Sequence, residues 1–369
     1  MNDNIQPASP AEVSARIAEA KAIKEFWQWW NTTGAAALDA MFTGKAEPLD
    51  LQAEVGGRLA AINPGLVWGF EADHVARHLI TVTAAGDPRV RPTARRWLEA
   101  APSDDDIWAF TDLRDPAPNL ELLWEVPGAD GTSQQQTVRV ADALFDVHKG
   151  NSFLDVRVYH PLFEQLLPAG EVGQQSIVQL GFTLLQLALG EQDFGLWIRN
   201  LTFTEQKPAN ALNAMEMAEL IDDLTAHCPA WLEISANSNG TPIRVNTRAP
   251  LNQLIEPLFT EHVVVQVLYN DIDSEGLPGA TSQEALAALH QQFQDALAGT
   301  GALVATESSD GICLFHFYVD SVAFTEAGDV ADTTPLQRLS QVAHTWEQGQ
   351  VEIDHAYDPA WDRVGHLRI

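Results

Sequence analysis

The chain of 369 residues carries 51 acidic against 21 basic side chains, a formal net charge of −30, with 46% hydrophobic and 20% charged residues. That composition is that of a globular chain with a core, not a disordered one, and the length suits about two domains. A field of this sign repels nucleic acid and anionic membrane surfaces, so no nucleic acid and no membrane are expected as partners. It favours either a merely solvated acidic surface or a basic protein partner.

The opening MNDNIQPASP is polar and has no apolar segment of a secretory signal, so a cytoplasmic location is expected. Ser9 and Pro10 then start a helix in which Val13, Ile17, Ala20, Ile23 and Trp27 recur at helical spacing, ending in FWQWW, residues 26–30. A second helix is predicted over about 49–62, stopped by Asn63-Pro64-Gly65, followed by two short strands, 66–70 and 78–83. Pro88 opens a helix bearing Arg89, Arg91, Arg95 and Arg96. Strands are predicted at 107–113, 120–126, 137–147 and 153–160. The most apolar run, IVQLGFTLLQLAL (177–189), is shorter than the roughly 18 residues of a membrane span and predicts a buried helix ended by Gly190. A strand at 199–204 completes this part.

Gln206–Ala209 reads as a connector, and Asn210 as the cap of a helix ended by Pro229. Asn239-Gly240 then predicts a type I′ hairpin, with Pro242 making the second strand an edge. From 261 onward the punctuation is regular. A strand at 263–269 leads to a helix capped by Thr281 and Glu284. Two strands flank Ser309-Asp310-Gly311, a helix starts at Thr334-Pro335, and a final strand spans 351–357. The order βαββαβ is that of a ferredoxin-like sandwich. The expected fold class is therefore α+β: a mixed helix and antiparallel-sheet domain at 1–205, a helix-and-hairpin connector at 206–258, and a ferredoxin-like domain at 259–369.

Candidate chemistry is sparse. His74 and His78 stand four apart beside Asp73, which on a helix suits a metal, but the segment reads as a turn entering a strand. Asp271, Asp273, Glu275 and Gly276 begin like a calcium loop, yet the twelfth position is Ser282 instead of a bidentate carboxylate. The four arginines at 89–96 suit either an anion or pairing with carboxylates such as Asp104, Asp105 and Asp106. Trp27, Trp29, Trp30, Trp68, Trp97, Trp108 and Trp124 suit either a ligand pocket or a core. His160 and Asp193 have no motif around them. Cys228 and Cys313 lack metal or redox neighbours and fit a reduced compartment. No catalytic, cofactor or metal-binding residue is assigned.

One surface stands out. Alternation in the strands at 263–269, 312–320 and 351–357 places Val263, Val265, Phe315 and Phe317 on a helix-covered face. His262, Gln266, His316, Tyr318, Glu352 and Asp354 gather on the other, expected either to meet a partner or to pack on the N-terminal domain.

Phe26–Trp30, Leu79–Gly86 (LITVTAAG) and Ala100–Pro102 before IWAFTDLR resemble the N-terminal portion of a family of uncharacterised bacterial proteins. The ending VEIDHAYDPAWDRVGHLRI resembles a domain-of-unknown-function family compared with the regulator of ribonuclease E activity, type B. The resemblance implies an acidic protein that acts by binding, and it supplies no catalytic residues. An acidic binding or regulatory protein is thus the expected function; the alternative is an enzyme or small-ligand binder with a cleft in the N-terminal domain.

Overall fold

The computed structural model describes residues 10–72, 75–128, 132–238, 240–320 and 334–368. Ser9, Asp73, His74 and Asn239, expected above to act as a helix cap, metal ligands and a turn residue, lie outside them. The fold class is α+β. The described residues form two compact units: those of 10–112 together with those of 230–368, and those of 113–229. The boundaries thus fall at 112/113 and 229/230, whereas punctuation alone placed them at 205 and 258. Chain ends distant in sequence share one unit, which local signals do not report.

The first part begins with α1 (Pro10–Trp29), which continues through a wide turn at Trp30–Gly34 into α2 (Ala35–Phe42). Only the C-terminal half of the expected apolar face is buried: Ile23, Phe26 and Trp27 are covered, but Ile17 is 49% exposed. A wide turn at Gln52–Gly56 leads into α3 (Gly57–Ile62), then β1 (Val67–Glu71) and β2 (His78–Thr83). Helix α4 (Arg91–Glu99) crosses to β3 (Trp108–Thr111), which pairs parallel to β2. The expected purely antiparallel sheet is corrected here, because a helical crossover returns the chain in the same direction. Trp27, Trp30, Trp97, Trp108 and Phe110 form an aromatic core between these layers, with Trp30 4.8 Å from Trp108 and Trp27 4.8 Å from Trp97.

Residues 113–229 hold the hairpin β4 (Glu121–Pro127) and β5 (Ser133–Arg139), then β6 (Leu144–Lys149) and β7 (Leu154–Tyr159). A short helical turn at Val140–Asp142 breaks the single strand expected over 137–147. After α5 (Phe163–Leu166), α6 (Glu171–Trp197) leads to β8 (Ile198–Thr204), again parallel to its neighbour β7. Gly190 (φ 76°) breaks α6 but does not end it; the chain turns there because Arg114 and Pro116 lie within 3.0 Å of where a Cβ would stand. Helix α7 (Ala214–His227) is capped by Asn213, whose carboxamide accepts from Met215 and Glu216 while Glu216 returns a bond to the Asn213 amide. Asn210 is three residues too early for that reciprocal pairing.

The remaining elements are β9 (Trp231–Ser238), β10 (Thr241–Arg248), β11 (Glu261–Leu268), α8 (Ala280–Leu297), β12 (Gly301–Ser309), β13 (Ile312–Val319), α9 (Pro335–Ala343) and β14 (Val351–Tyr357). They build a six-stranded antiparallel sheet in the order β14-β11-β13-β12-β10-β9. Strand β10 is therefore interior and β9 is the edge. Pro242 is tolerated because β10 meets β12 only from Arg244 to Thr247, beyond the proline. Helix α8 starts at Ala280 without a side-chain cap, and the carboxylate of Asp271 accepts the Thr281 amide instead. Thr334 caps α9 as expected, reciprocally with Gln337. Val263, Val265, Phe293, Phe315, Phe317 and Leu339 fill the space between helices and sheet.

Two ion-pair groups tie this unit together. Asp320 accepts Arg16 at 2.5 Å and Arg96 at 3.0 Å, while Glu19 accepts the Thr93 hydroxyl at 2.8 Å. Arg91, 3% exposed, donates to Asp112 at 2.6 Å, and Arg95 reaches the same oxygen at 3.1 Å. Arg91 and Arg95 thus pair with Asp112, and Arg96 with Asp320 and Glu19; Asp104 and Asp105 accept backbone amides of Phe110, Ile107 and Trp108. Asp112→Ala strands a buried guanidinium and is expected to lower the unfolding free energy by about 3–5 kcal/mol, read as a reduced urea midpoint in a denaturation followed by tryptophan fluorescence.

Candidate functional site

Strand pairing brings the six expected face residues together. His262 lies opposite Tyr318, and Val264 opposite His316 on β13 and Asp354 on β14; Gln266 lies opposite Glu352. Residues directly opposite one another in a ladder share a face, so the alternation argument places them correctly. Their exposure differs from expectation. His262 is 2%, His316 5% and Tyr318 0% exposed, while Gln266 is half-buried and Glu352 and Asp354 are exposed. The histidine half of this face is not open.

The chain's own C-terminal stretch covers it. Trp361 stacks on Tyr318 with ring centroids 4.3 Å apart and planes at 16°, and its indole N–H donates to the Phe259 carbonyl at 2.9 Å. Val364 and Leu367 follow from the helical turn Asp362–Leu367 and join Val245, Leu251, Phe259 and Val304 in a second core. Asp358 organises this cover: its carboxylate accepts the Tyr318 hydroxyl at 2.6 Å and the amides of Asp362 and Arg363 at 3.0 and 2.8 Å. Burial first, and then Asp358, push the Tyr318 phenol far above its usual range, so it stays protonated and donates. Arg363 reaches Asp354 at 3.1 Å across the rim.

Beneath the cover runs a chain of imidazoles. His262 Nε2 lies 3.1 Å from His316 Nδ1, and His316 Nε2 lies 3.0 Å from Glu307 Oε1; His366, exposed on the cover, reaches the same oxygen at 3.3 Å. Sequence alternation overlooked Glu307. A bulge at Val304 inserts one residue into β12: Leu303 pairs with Phe317, but Ala305 pairs with His316 and Glu307 with Leu314. One extra residue reverses the alternation beyond it, so Glu307 replaces Thr306 on the histidine face. His316 donates to Glu307 and, with burial opposing, holds that carboxyl below its usual range. Burial, then the neighbouring His316 and Arg363, push His262 down to about 4.

The other sequence candidates resolve into structural roles. His78 bonds Asp39 at 3.1 Å, against Phe42 and Trp108. In the 271–276 loop, Asp271 accepts the Thr281 amide and Asp273 accepts those of Glu275 and Leu277, so both carboxylates brace the turn. Among the described residues no group of three His, Cys, Asp or Glu side chains is placed to hold a metal. The space between the Trp-rich helix and strands β1–β3 is filled by aromatic rings. Within 113–229, an open groove of about 380 Å³ is lined by Trp124, Glu125, Gln175, Ser176 and Gln179, with the Trp124 indole donating to Ser176 at 2.9 Å. His160 is buried and its pKa lowered by that burial, while Asp193 is raised by the same cause. No helix among the described residues is long and apolar enough to cross a membrane.

Comparison with protein-family models, with curated proteins and with solved structures found no match.

Tyr318→Phe removes one donor from the buried Asp358 carboxylate but leaves its two amide donors and the ring stack. The expected loss is about 1.5–3 kcal/mol of stability, measured by urea unfolding; an unchanged midpoint would show that the Asp358 bond does not hold the cover.

Proposed function

We propose that this chain is an acidic, non-enzymatic binding or regulatory protein that attracts a basic protein partner. The observation that carries the reading is how its cations are spent. Most described arginines face a carboxylate of the chain itself, as Arg16, Arg91, Arg95, Arg96, Arg139, Arg157 and Arg199 do. With a net charge of −30 the outward field is then set by unpaired carboxylates, which steer a cationic partner and repel nucleic acid.

The loops at one end of the C-terminal sheet concentrate that field. Gly276 and Asp310 approach closely, joined by the bond from the Gly311 amide to the Gly276 carbonyl at 3.0 Å, and these loops carry Asp271, Asp273, Glu275 and Asp310. The element order and the strand sequence β14-β11-β13-β12 support reading this layer as a ferredoxin-like sandwich. They are also the reason to keep the resemblance to the regulator of ribonuclease E activity, type B, as a proposal for how the chain works. A reduced, cytoplasmic setting accords with two free thiols, of which Cys313 is buried and pushed up to about 12 by that burial.

The second reading, an enzyme or small-ligand binder, keeps one observation in its favour: the groove beside Trp124. The space between the Trp-rich helix and strands β1–β3, where such a cleft was expected, is filled by aromatic rings.

The test is capture of a basic protein from an extract of the native host on the immobilised chain, at low and at high salt. The triple substitution Asp273→Asn, Glu275→Gln and Asp310→Asn removes charge while keeping the turn acceptors, and is expected to weaken binding about 10-fold at low salt. Capture that ignores both salt and these substitutions would sink the electrostatic reading. Substitution of His316 or Tyr318 is unsuitable for this purpose, since both are core residues.

A further inference from the structure

The bonds under the C-terminal cover have a fixed proton order. Ionised Glu307 only accepts, so His316 carries its proton on Nε2 and presents a lone pair at Nδ1. His262 must then donate from Nε2 into that lone pair, which leaves His262 Nδ1 as a bare acceptor. That atom is buried and has no hydrogen-bond partner. The pair holds two protons, and a third has no acceptable place. Whether it is added at His262 Nδ1 directly, or enters between the rings and shifts the His262 proton to Nδ1, the result is a buried Nδ1–H donor without an acceptor.

The surroundings do not offset this. From the cover, Asp358 and Arg363 face His262 with opposite charges; from β14, Asp354 attracts but is bonded to Arg363; from β13 come His316 and the neutral Tyr318; from β12, Glu307 is reached only through His316, with His366 above it. Release of the cover would let water reach His262 Nδ1, and that imidazole could then charge with its new proton solvated.

The cover, with its short turn Asp362–Leu367, packs on one face of a sheet whose opposite face has its own separate core with α8 and α9, so the two layers share no apolar core. We propose that the segment 358–367 is an acid-released cover, held shut at neutral pH by the His262–His316–Glu307 chain and detached from the sheet by proton uptake at His262. Its release exposes Tyr318, His316 and His262 beside Gln266, Glu352 and Asp354, turning a half-closed face into an open one.

The sign follows from linkage. His262 is held at about 4 in the closed form against 6.5 for an unperturbed imidazole, so the open form binds more protons between these limits. Closure is complete above the upper limit and weakens as pH falls through the window. Glu307, held below its usual range, adds in the same direction at lower pH.

The experiment is hydrogen exchange by mass spectrometry on the full chain, with protection of the 358–368 peptide corrected for the intrinsic pH dependence of exchange. From about pH 7.5 to about pH 5 the opening constant of this peptide is expected to rise about 30-fold, while the α8 peptide 280–297 keeps its protection. His262→Gln retains a donor but cannot charge, and should reduce the rise to less than about 3-fold. Trp361→Ala, which removes the stack on Tyr318, should open the peptide at both pH values. Equal protection of 358–368 at the two pH values overturns the proposal, as does loss of protection in 280–297 in parallel with it. Should His262→Gln not fold at neutral pH, the wild-type histidine titration by NMR decides: absence of a ring titrating well below the ordinary histidine range overturns it.

Discussion

A sheet strand carries side chains on both faces, and a six-stranded sheet with alternating large residues has two faces to remove from water. Helices α8 and α9 close one of them over Val263, Val265, Phe315 and Phe317. The other is closed over β13 by a tail of about ten residues, and Trp361 on Tyr318 is the contact that makes so short a cover sufficient. Much else in this region follows from that closure. Once Tyr318, His316 and His262 lie beneath Trp361 and Val364, their polar atoms need partners inside the protein. Asp358 answers Tyr318, and Glu307 answers His316. His262 Nδ1 is the one atom of this group left without a partner, which makes protonation, rather than hydration, the weak point of the closed state.

Charge is organised by a related economy. With few cations against a large excess of acids, a surface salt bridge contributes little, but a buried guanidinium without a carboxylate is strongly destabilising. The arginines of α4 are accordingly placed where geometry is best: Arg91 and Arg95 converge on Asp112, and Arg96 shares Asp320 with Arg16. Asp320 follows the end of β13 and Arg16 lies in the first helix, so these pairs join segments 304 residues apart within one compact unit. What remains outside is acid, and the same placement that stabilises the interior sets the outward field.

Elements with a dense local signal were legible. The alternation of β11 and β13 was readable from residue types, and Thr334 with Pro335 announced α9 through capping chemistry confined to four residues. Gly190 was legible as a non-helical position, but not as a break after which the helix resumes, because Arg114 and Pro116 come from elsewhere in the chain. Asn210 and Asn213 are equally good caps by type; Glu216 distinguishes them only by its spacing to Asn213. Parallel pairing of β3 to β2 and of β8 to β7 depends on where a crossover helix lands, a long-range matter.

The amino-acid sequence by itself determined the acidic field, the α+β class, the order of elements after residue 261 and which residues share a face of the unbulged strands β11, β13 and β14, since all of these depend on composition or on periodicity over a few residues. It did not determine whether a face stays open. Tertiary structure decided that Trp361 returns onto Tyr318, that a bulge at Val304 exchanges Thr306 for Glu307 beside the histidines, and that residues 10–112 join 230–368 rather than their sequence neighbours. The reason is common to all three: each is settled by apolar burial and hydrogen bonding between segments far apart in the chain, where a shift of one residue reverses a face and no local pattern records it.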